Sequence, residues 1–381
     1  MMEKMKAILK KEPMLSVSAA AALIAMLITP PTGALLKGID WHTLATLFMM
    51  LTVLEGFKKE NIFWPVLQLA GRIGTMAGLT LFLVFGVFFS SMFVTNDVSL
   101  IIFVPLTIVL FRAGKKEQYI LPVLTFENIA AVRGSLLTPF GSPQNLYIFG
   151  QSGVSAGHFV AYMFPIWILS AFLLIAFICF LYRKNLRETT GIGDVQESGS
   201  LDPAGNKRRI AWLCLFAMII WTIVSRTSLW PAAAIAVAVV VLLLDRELLV
   251  RTDYVLLLTF LCFFIFSSSI AANPSISAFL ASAVAHHEYL WSILLSQLIS
   301  NVPASIVLYP FAVNRGALLY GLDSAGLCSL IGSLASVINY RIYVRAYPGK
   351  GGAFIKTFTW ISLAFFAIVV IPGWLISQTP I

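Results

Sequence analysis

Charge is the scarcest commodity in this chain. Of 381 residues only 11% are Asp, Glu, Lys or Arg, against roughly 25% in an ordinary soluble domain. That is too little to clothe a water-facing surface, which excludes soluble enzymes, nucleic-acid binders and disordered chains. Negative charge is the rarer sign, with 17 acidic residues against 26 basic ones. Cysteine is also sparse: Cys179, Cys214, Cys262 and Cys328 stand far apart in apolar stretches, with neither a disulfide framework nor metal-ligand spacing. Histidine numbers four, and His286-His287-Glu288 lacks the i, i+4 pair of a zinc-binding helix. No clustered acids, histidines or nucleophile with a base suggest catalysis, so no enzyme activity and no covalent cofactor are expected.

Apolar sequence fills the space instead. Hydrophobic residues make up 59% of the chain and the mean hydropathy is +0.90. A helical span needs about 20 such residues. Runs of that kind cover Met14–Leu36, Trp41–Phe57, Phe159–Tyr182, Ile210–Val224, Trp230–Leu244, Tyr254–Ala272 and Phe354–Ile376. The basic segment Met1–Lys11 precedes the first, whose length marks a span and not a cleaved signal. Phe63–Phe111 is interrupted at Thr95-Asn96-Asp97, Tyr119–Ala156 at Thr138–Pro143, and Ser275–Leu319 at Ser300–Pro303, with a further break at Gly332-Ser333. Each unpaired backbone group in lipid costs several kcal/mol, so broken helices persist only where protein buries them or water reaches them. Two interrupted segments are therefore read as hairpins and two as discontinuous spans.

The expected architecture is an all-α polytopic membrane protein with two inverted repeats, each with a re-entrant hairpin and a discontinuous transmembrane helix. It has about nine full spans plus two hairpins. The first repeat occupies residues 1–184, with an inner hairpin near 64–112 and a broken span near 118–156. A flexible Gly/Ser-rich cytoplasmic linker covers 185–209. A connecting span and the second repeat fill 210–381, with an outer hairpin near 275–314 and a broken span near 317–343. With the N-terminus inside and the C-terminus outside, 21 of the 26 Lys and Arg fall in inner loops. Only Lys37, Arg226 and Arg315 lie outside, and Arg72 and Arg133 lie at membrane depth. That distribution follows the positive-inside rule for a cytoplasmic (inner) membrane protein. It does not separate a re-entrant hairpin from two crossings.

The repeat is visible in the residues. SMFVTNDVSLIIFVP begins at Ser91 and SQLISNVPASIVLYP at Ser296, aligning Thr95 with Ser300 and Asn96 with Asn301. Gly141-Ser142-Pro143-Gln144-Asn145 parallels Gly332–Ser336, and Asp40-Trp41 parallels Asp253-Tyr254. Paired broken helices in oppositely oriented halves are the signature of a secondary transporter with its site near the midplane.

The segments FVTNDVSLIIFVP, GSLLTPFGSPQNLYI, SQLISNVPASIVLYP and LIGSLAS resemble the citrate-transporter-like (ion transporter) superfamily. That group includes arsenite permeases, the melanocyte P protein, sodium/proton antiporters and divalent anion:sodium symporters. The resemblance spans roughly residues 40–160 and 250–340. Tips reading Thr-Asn-Asp and Ser-Asn-Val-Pro lean towards the arsenite-permease and P-protein branch. The resemblance implies sodium sites at Ser91, Thr95, Asn96 and Gly141 and at Ser296, Ser300, Asn301 and Gly332. It places substrate among Asn96, Asn301, Pro143 and their neighbours Ser142, Asn145, Val302 and Pro303. It also implies a homodimer and an elevator-like movement.

The residue types suit that chemistry. Hydroxyl, amide and freed carbonyl oxygens suit a hard cation, while helix N-termini after each break offer N–H groups to an anion. Glycine admits close backbone approach, and Pro139, Pro143 and Pro303 keep the ladders open. In membrane helices such polar residues also simply bond neighbouring helices. Asp97, beside the first tip, is a functional candidate by its depth, able to bind a cation or a proton, though capping the helix at Val98 is an equal alternative. Arg133 is a candidate counter-charge for an anionic substrate or a partner for a carboxylate. Glu127, about 240° round the helix from it, cannot pair with it directly and is placed near the inner interface. Arg72 is expected to snorkel inward. The leading function is transport of a small anion across the bilayer, coupled to sodium or protons. A sodium/proton antiporter without an organic substrate is the alternative, motivated by Asp97 and Glu127.

Overall fold

The computed structural model describes residues 13–29, 38–191 and 206–379. It is built from helices, and among the described residues seven are long and apolar enough to cross a membrane, with three shorter apolar ones. This is an all-α polytopic membrane protein. The first apolar run is helical over Pro13–Ile28 (α1); its expected continuation through residues 30–36 lies outside the described residues.

The two halves share one order of elements. In the first, α2 (Trp41–Lys59) leads to a short helix α3 (Trp64–Ala70), then α4 (Met76–Val94) and α5 (Asn96–Ala113). Then come α6 (Ile120–Gly134), the break, α7 (Pro143–Ser152) and the long α8 (Ala156–Leu181). A connecting helix α9 (Asn206–Ser225), α10 (Trp230–Asp245) and a single turn α11 (Glu247–Arg251) follow. In the second half α12 (Tyr254–Ala272) leads to the short α13 (Pro274–Val284), then α14 (Glu288–Ile299) and α15 (Asn301–Leu308). The half ends with α16 (Arg315–Ala325), the second break, α17 (Leu334–Ala346) and the long α18 (Gly351–Ser377).

Local chemistry explains the correspondences. Asp40 caps α2 by accepting from Thr43 N at 3.0 Å, and Asp253 caps α12 by accepting from Leu256 N at 2.9 Å. Such caps satisfy helix-end donors that would otherwise be left orphaned. Pro165 and Pro372 lie inside α8 and α18 respectively. The hairpins are shorter than the sequence indicates: Gly71–Gly74 ends α3 before α4, and Ala285–His287 ends α13 before α14. Arg72 accordingly stands exposed in a turn, not in a membrane helix, and His286 and His287 are exposed.

The halves are interlaced. α1 packs on α12, while α9 and α10 pack on α2. α5, the second arm of one hairpin, lies against α17, and α15, the second arm of the other, lies against α7. The four cysteines are free thiols. The start of the linker is fastened down, not loose. Glu188 O accepts from Met76 N at 2.8 Å, Thr190 N donates to Gly74 O at 3.0 Å, and the Glu188 carboxylate pairs with Lys116 and accepts from Tyr119 Oη.

Candidate functional site

Both hairpin tips are single residues with the same backbone. Thr95 sits at φ 71°, ψ 155° and Ser300 at φ 70°, ψ 157°. This region is essentially reserved for glycine and costs of order 1–3 kcal/mol for any other residue. A repeated outlier at matched sequence positions points to a retained purpose, and helices are broken at both. Asn96 and Asn301 open the helices that follow, and both are buried.

Each tip lies in the half whose broken span packs on its first arm, α4 on α6 and α14 on α16. In the first break Ser135–Leu137 tightens into a 3-10 turn, Thr138 is extended, and α7 begins at Pro143 behind an extended Ser142. In the second, α17 begins behind an extended Ser333. A Cβ on Gly141 would lie 2.1 Å from Ser135 O, and one on Gly332 would lie 2.2 Å from Ala325 O. Only glycine lets the chain fold this closely on itself. Thr138 Oγ1 donates to Met92 O, tying the first break to its hairpin. Asn301 N donates to Gly332 O at 3.1 Å, tying the second break to its tip.

A cavity of about 110 Å³ reaches the first tip. Thr95, Asp97, Ser142 and Pro143 line it together with Glu55 and Lys58 of α2 and Asp253, the cap of α12. Of the residues expected at the site, the structure brings these four together around open space. Asp97 Oδ1 is buried without a partner, as is Ser142 Oγ. Asn96 Oδ1 accepts from Asp97 N at 3.0 Å, so it, and not the Asp97 carboxylate, engages the start of α5. Ser91 Oγ donates to Phe88 O at 3.0 Å and Ser296 Oγ to Ser292 O at 2.5 Å, leaving their lone pairs free to coordinate. Ser300 Oγ is buried without a partner.

Other expected residues lie elsewhere. Asn301, Val302 and Pro303 are buried behind the second tip, with Asn301 Nδ2 donating to Leu322 O at 3.4 Å. Asn145 Nδ2 donates across the first break to Leu136 O at 3.2 Å. Arg133 does not line this cavity; its Nε donates to Ser170 Oγ of α8 at 2.9 Å and its Nη1 to Asp323 O of α16 at 3.4 Å. Glu127 is enclosed by protein and accepts from Thr107 Oγ1 of α5.

Sequence reading leaves several buried ties unassigned. Gln144 Nε2 donates to Asp323 Oδ1 at 3.1 Å, Asn128 Nδ2 to Ser336 Oγ at 3.0 Å, and Asn339 Nδ2 to Leu124 O at 2.7 Å. Each joins the broken span of one half to the broken span of the other. A spacing signal for them exists only once the breaks are paired in space. Among the described residues no group of three or more His, Cys, Asp or Glu is placed to hold a metal.

A sequence model described as "Citrate transporter" (CitMHS) matches residues 1–332. The chain belongs to the citrate transporter family. It is similar to the inner membrane protein YbiR of Escherichia coli (strain K12), 34% identical over 313 residues that cover 80% of each chain. It is also similar to the uncharacterized transporter MJ0456 of Methanocaldococcus jannaschii, 27% identical over 309 residues, covering 80% of this chain and 81% of the relative. Membership of the citrate transporter family makes the chain a secondary transporter embedded in the bilayer, and not an enzyme. The resemblance read from the four tip and break motifs is thus borne out at the level of the family.

Proposed function

We propose that the chain moves a small anion across the cytoplasmic membrane, driven by a sodium or proton gradient, with the two hairpin tips and the two breaks as the moving gate. The carrying observation is the pair of strained tips, Thr95 and Ser300, each beside a break whose glycine tolerates no side chain. In this reading the halves are inverted repeats and the hairpins re-entrant. Cation sites are assigned to Ser91, Thr95, Asn96 and Gly141 and to Ser296, Ser300, Asn301 and Gly332. The anion is assigned to the space between the tips, against the N–H groups that open α5 and α7.

The cavity supports a particular state. It lies against the Lys58 end of α2, which is the cytoplasmic end if the N-terminus is inside. Tip one is then open to the cytoplasm while tip two is closed, and an elevator-like shift of the hairpins and breaks against α2 and α12 exchanges the two. A homodimer holding α2 and α12 still would complete such a device.

Uptake of radiolabelled citrate, arsenite and sulfate into proteoliposomes, with imposed sodium and pH gradients, tests this. Gradient-dependent accumulation of at least one anion is expected; accumulation of none under any gradient overturns it. The unpartnered Asp97 Oδ1 at the cavity favours a second reading, sodium/proton antiport without an organic solute. Proton release on adding sodium, absent in Asp97→Asn, in vesicles that take up no anion would select that reading.

A further inference from the structure

The strongest unassigned feature is a buried charge cluster where the two breaks meet. Asp323, near the end of α16, is 2% exposed, and Arg133, at the end of α6, is 1% exposed. They belong to opposite halves. The carboxylate accepts from Gln144 Nε2 at 3.1 Å, and the Asn145 amide stands beside it. Its Oδ2 has no partner, nor has Arg133 Nη2. The guanidinium reaches the main-chain oxygen of Asp323 and the hydroxyl of Ser170, and makes no ion pair with the carboxylate. The remaining ionisable groups around the pair are Tyr289 of α14, hydrogen-bonded to Val370 O, and Tyr320 of α16, which donates to Tyr162 O of α8.

Charges removed from water are tolerated when geometry pairs them well. Here both charges are buried and close, yet the carboxylate is bonded by a neutral amide and not by the guanidinium. A carboxylate so placed gains from taking a proton, and an ionised one gains from drawing Arg133 onto it. The two states differ in how tightly the break of one half holds the break of the other. Sodium does not suit the place, because the guanidinium repels it, whereas a proton needs no added room and neutralises the carboxylate outright.

We propose that Asp323 takes up and releases the coupling proton of this transporter, with Arg133 as its counter-charge. Protonation converts the carboxylate to the neutral acid and loosens the α6–α16 junction. Release restores the carboxylate, and its attraction to Arg133 tightens the junction. Proton occupancy thereby sets the relative position of the two breaks and, through the Thr138 and Asn301 ties, of the two tips. This rests on the transport reading above, with the proton as coupling ion, and names the residue that carries it.

The test uses the full chain in proteoliposomes, with two readouts. Infrared difference spectra on a pH jump, with no solute present, should show a protonated-carboxyl band that Asp323→Asn removes and Glu127→Gln, the variant of another buried acid, retains. With radiolabelled citrate as probe, Asp323→Asn should lose accumulation driven by a pH gradient and keep citrate–citrate exchange. A band unchanged in Asp323→Asn, a band removed by Glu127→Gln alone, or gradient-driven accumulation surviving in Asp323→Asn each overturns the proposal. If wild type takes up no citrate, the transport reading fails for that solute while the infrared result still decides the assignment of the proton. Should Asp323→Asn not fold, Asp323→Glu serves, with a displaced band and a shifted pH midpoint expected and an unmoved band overturning it.

Discussion

The two hairpins carry one backbone at their tips and different bodies behind them. The first has arms of 19 and 18 residues, the second of 12 and 8. At about 1.5 Å per residue the first arms are each nearly a bilayer long, and the second are not. Their bases are clasped differently as well. The first is fastened by Glu188, which comes from the segment after α8, whereas the second uses its own Glu288, whose Oε1 accepts from Val313 N and Asn314 N at 2.9 Å each. Yet Thr95 and Ser300 agree within a few degrees, and the break glycines make the same close approach. Tip geometry is therefore independent of arm length and of the clasp. What distinguishes the tips is access: α2 and α12 leave a cavity at the first, while α7, α12 and α16 pack around the helix that follows the second.

The equivalence of the breaks can be attacked directly. Gly141→Ala and Gly332→Ala each drive a methyl into a carbonyl oxygen, and overpacking of this kind costs about 1–3 kcal/mol or more. Both variants should lose transport and melt lower in detergent; a large loss for one alone would break the equivalence. The tips offer a subtler separation. Thr95→Gly and Ser300→Gly should each relieve about 1–3 kcal/mol of backbone strain and raise the melting temperature, while transport falls because a hydroxyl is gone. Rising stability with full transport would show that the strained residues are dispensable for function.

Access is measurable in a cysteine-free background. Thr95→Cys and Asp97→Cys should react with a membrane-impermeant thiol reagent added from the Lys58 side, and Ser300→Cys and Val302→Cys should not. Equal labelling of the four would erase the difference between the tips. The smallest expected effect is at the first clasp. The hydrogen bond from Lys116, helped by that from Tyr119, holds the Glu188 carboxyl below the usual carboxylate range. A group depressed on folding contributes stability above its unfolded value of about 4.3, and loses it as pH falls through the folded one. Glu188→Gln at neutral pH, or acidification of the wild type below that value, should speed hydrogen exchange at Met76 and Thr190 with little change elsewhere.

Much of this was legible in the sequence because the costly features leave visible marks. Hydroxyl and amide residues in apolar runs announce the tips, and Gly-Ser pairs flanked by apolar residues announce the breaks, since lipid forbids both without a reason. The short helices α3 and α13 were hidden, because their apolar residues run on into the hairpins and only Gly71–Gly74 and Ala285–His287 separate them. Asp323 was hidden for another reason. Alone in its helix it resembles any polar residue near a loop, and its partners Arg133, Gln144 and Asn145 lie far away in sequence. Glu188 sits in a polar stretch where composition predicts slack chain, and only its contacts with Met76, Lys116 and Tyr119 show otherwise.

The crossed packing of the outer helices bears on how the protein is made. α1 leaves the ribosome long before the helix that covers it: α12 is synthesised only after the whole first half and the linker. α2 waits likewise for α9 and α10. Neither half thus completes its own exterior, and during biogenesis the early helices must be sheltered by lipid or by the insertion machinery until their partners arrive. A gene split at the linker should then yield two fragments that are degraded when expressed singly and persist only when produced together.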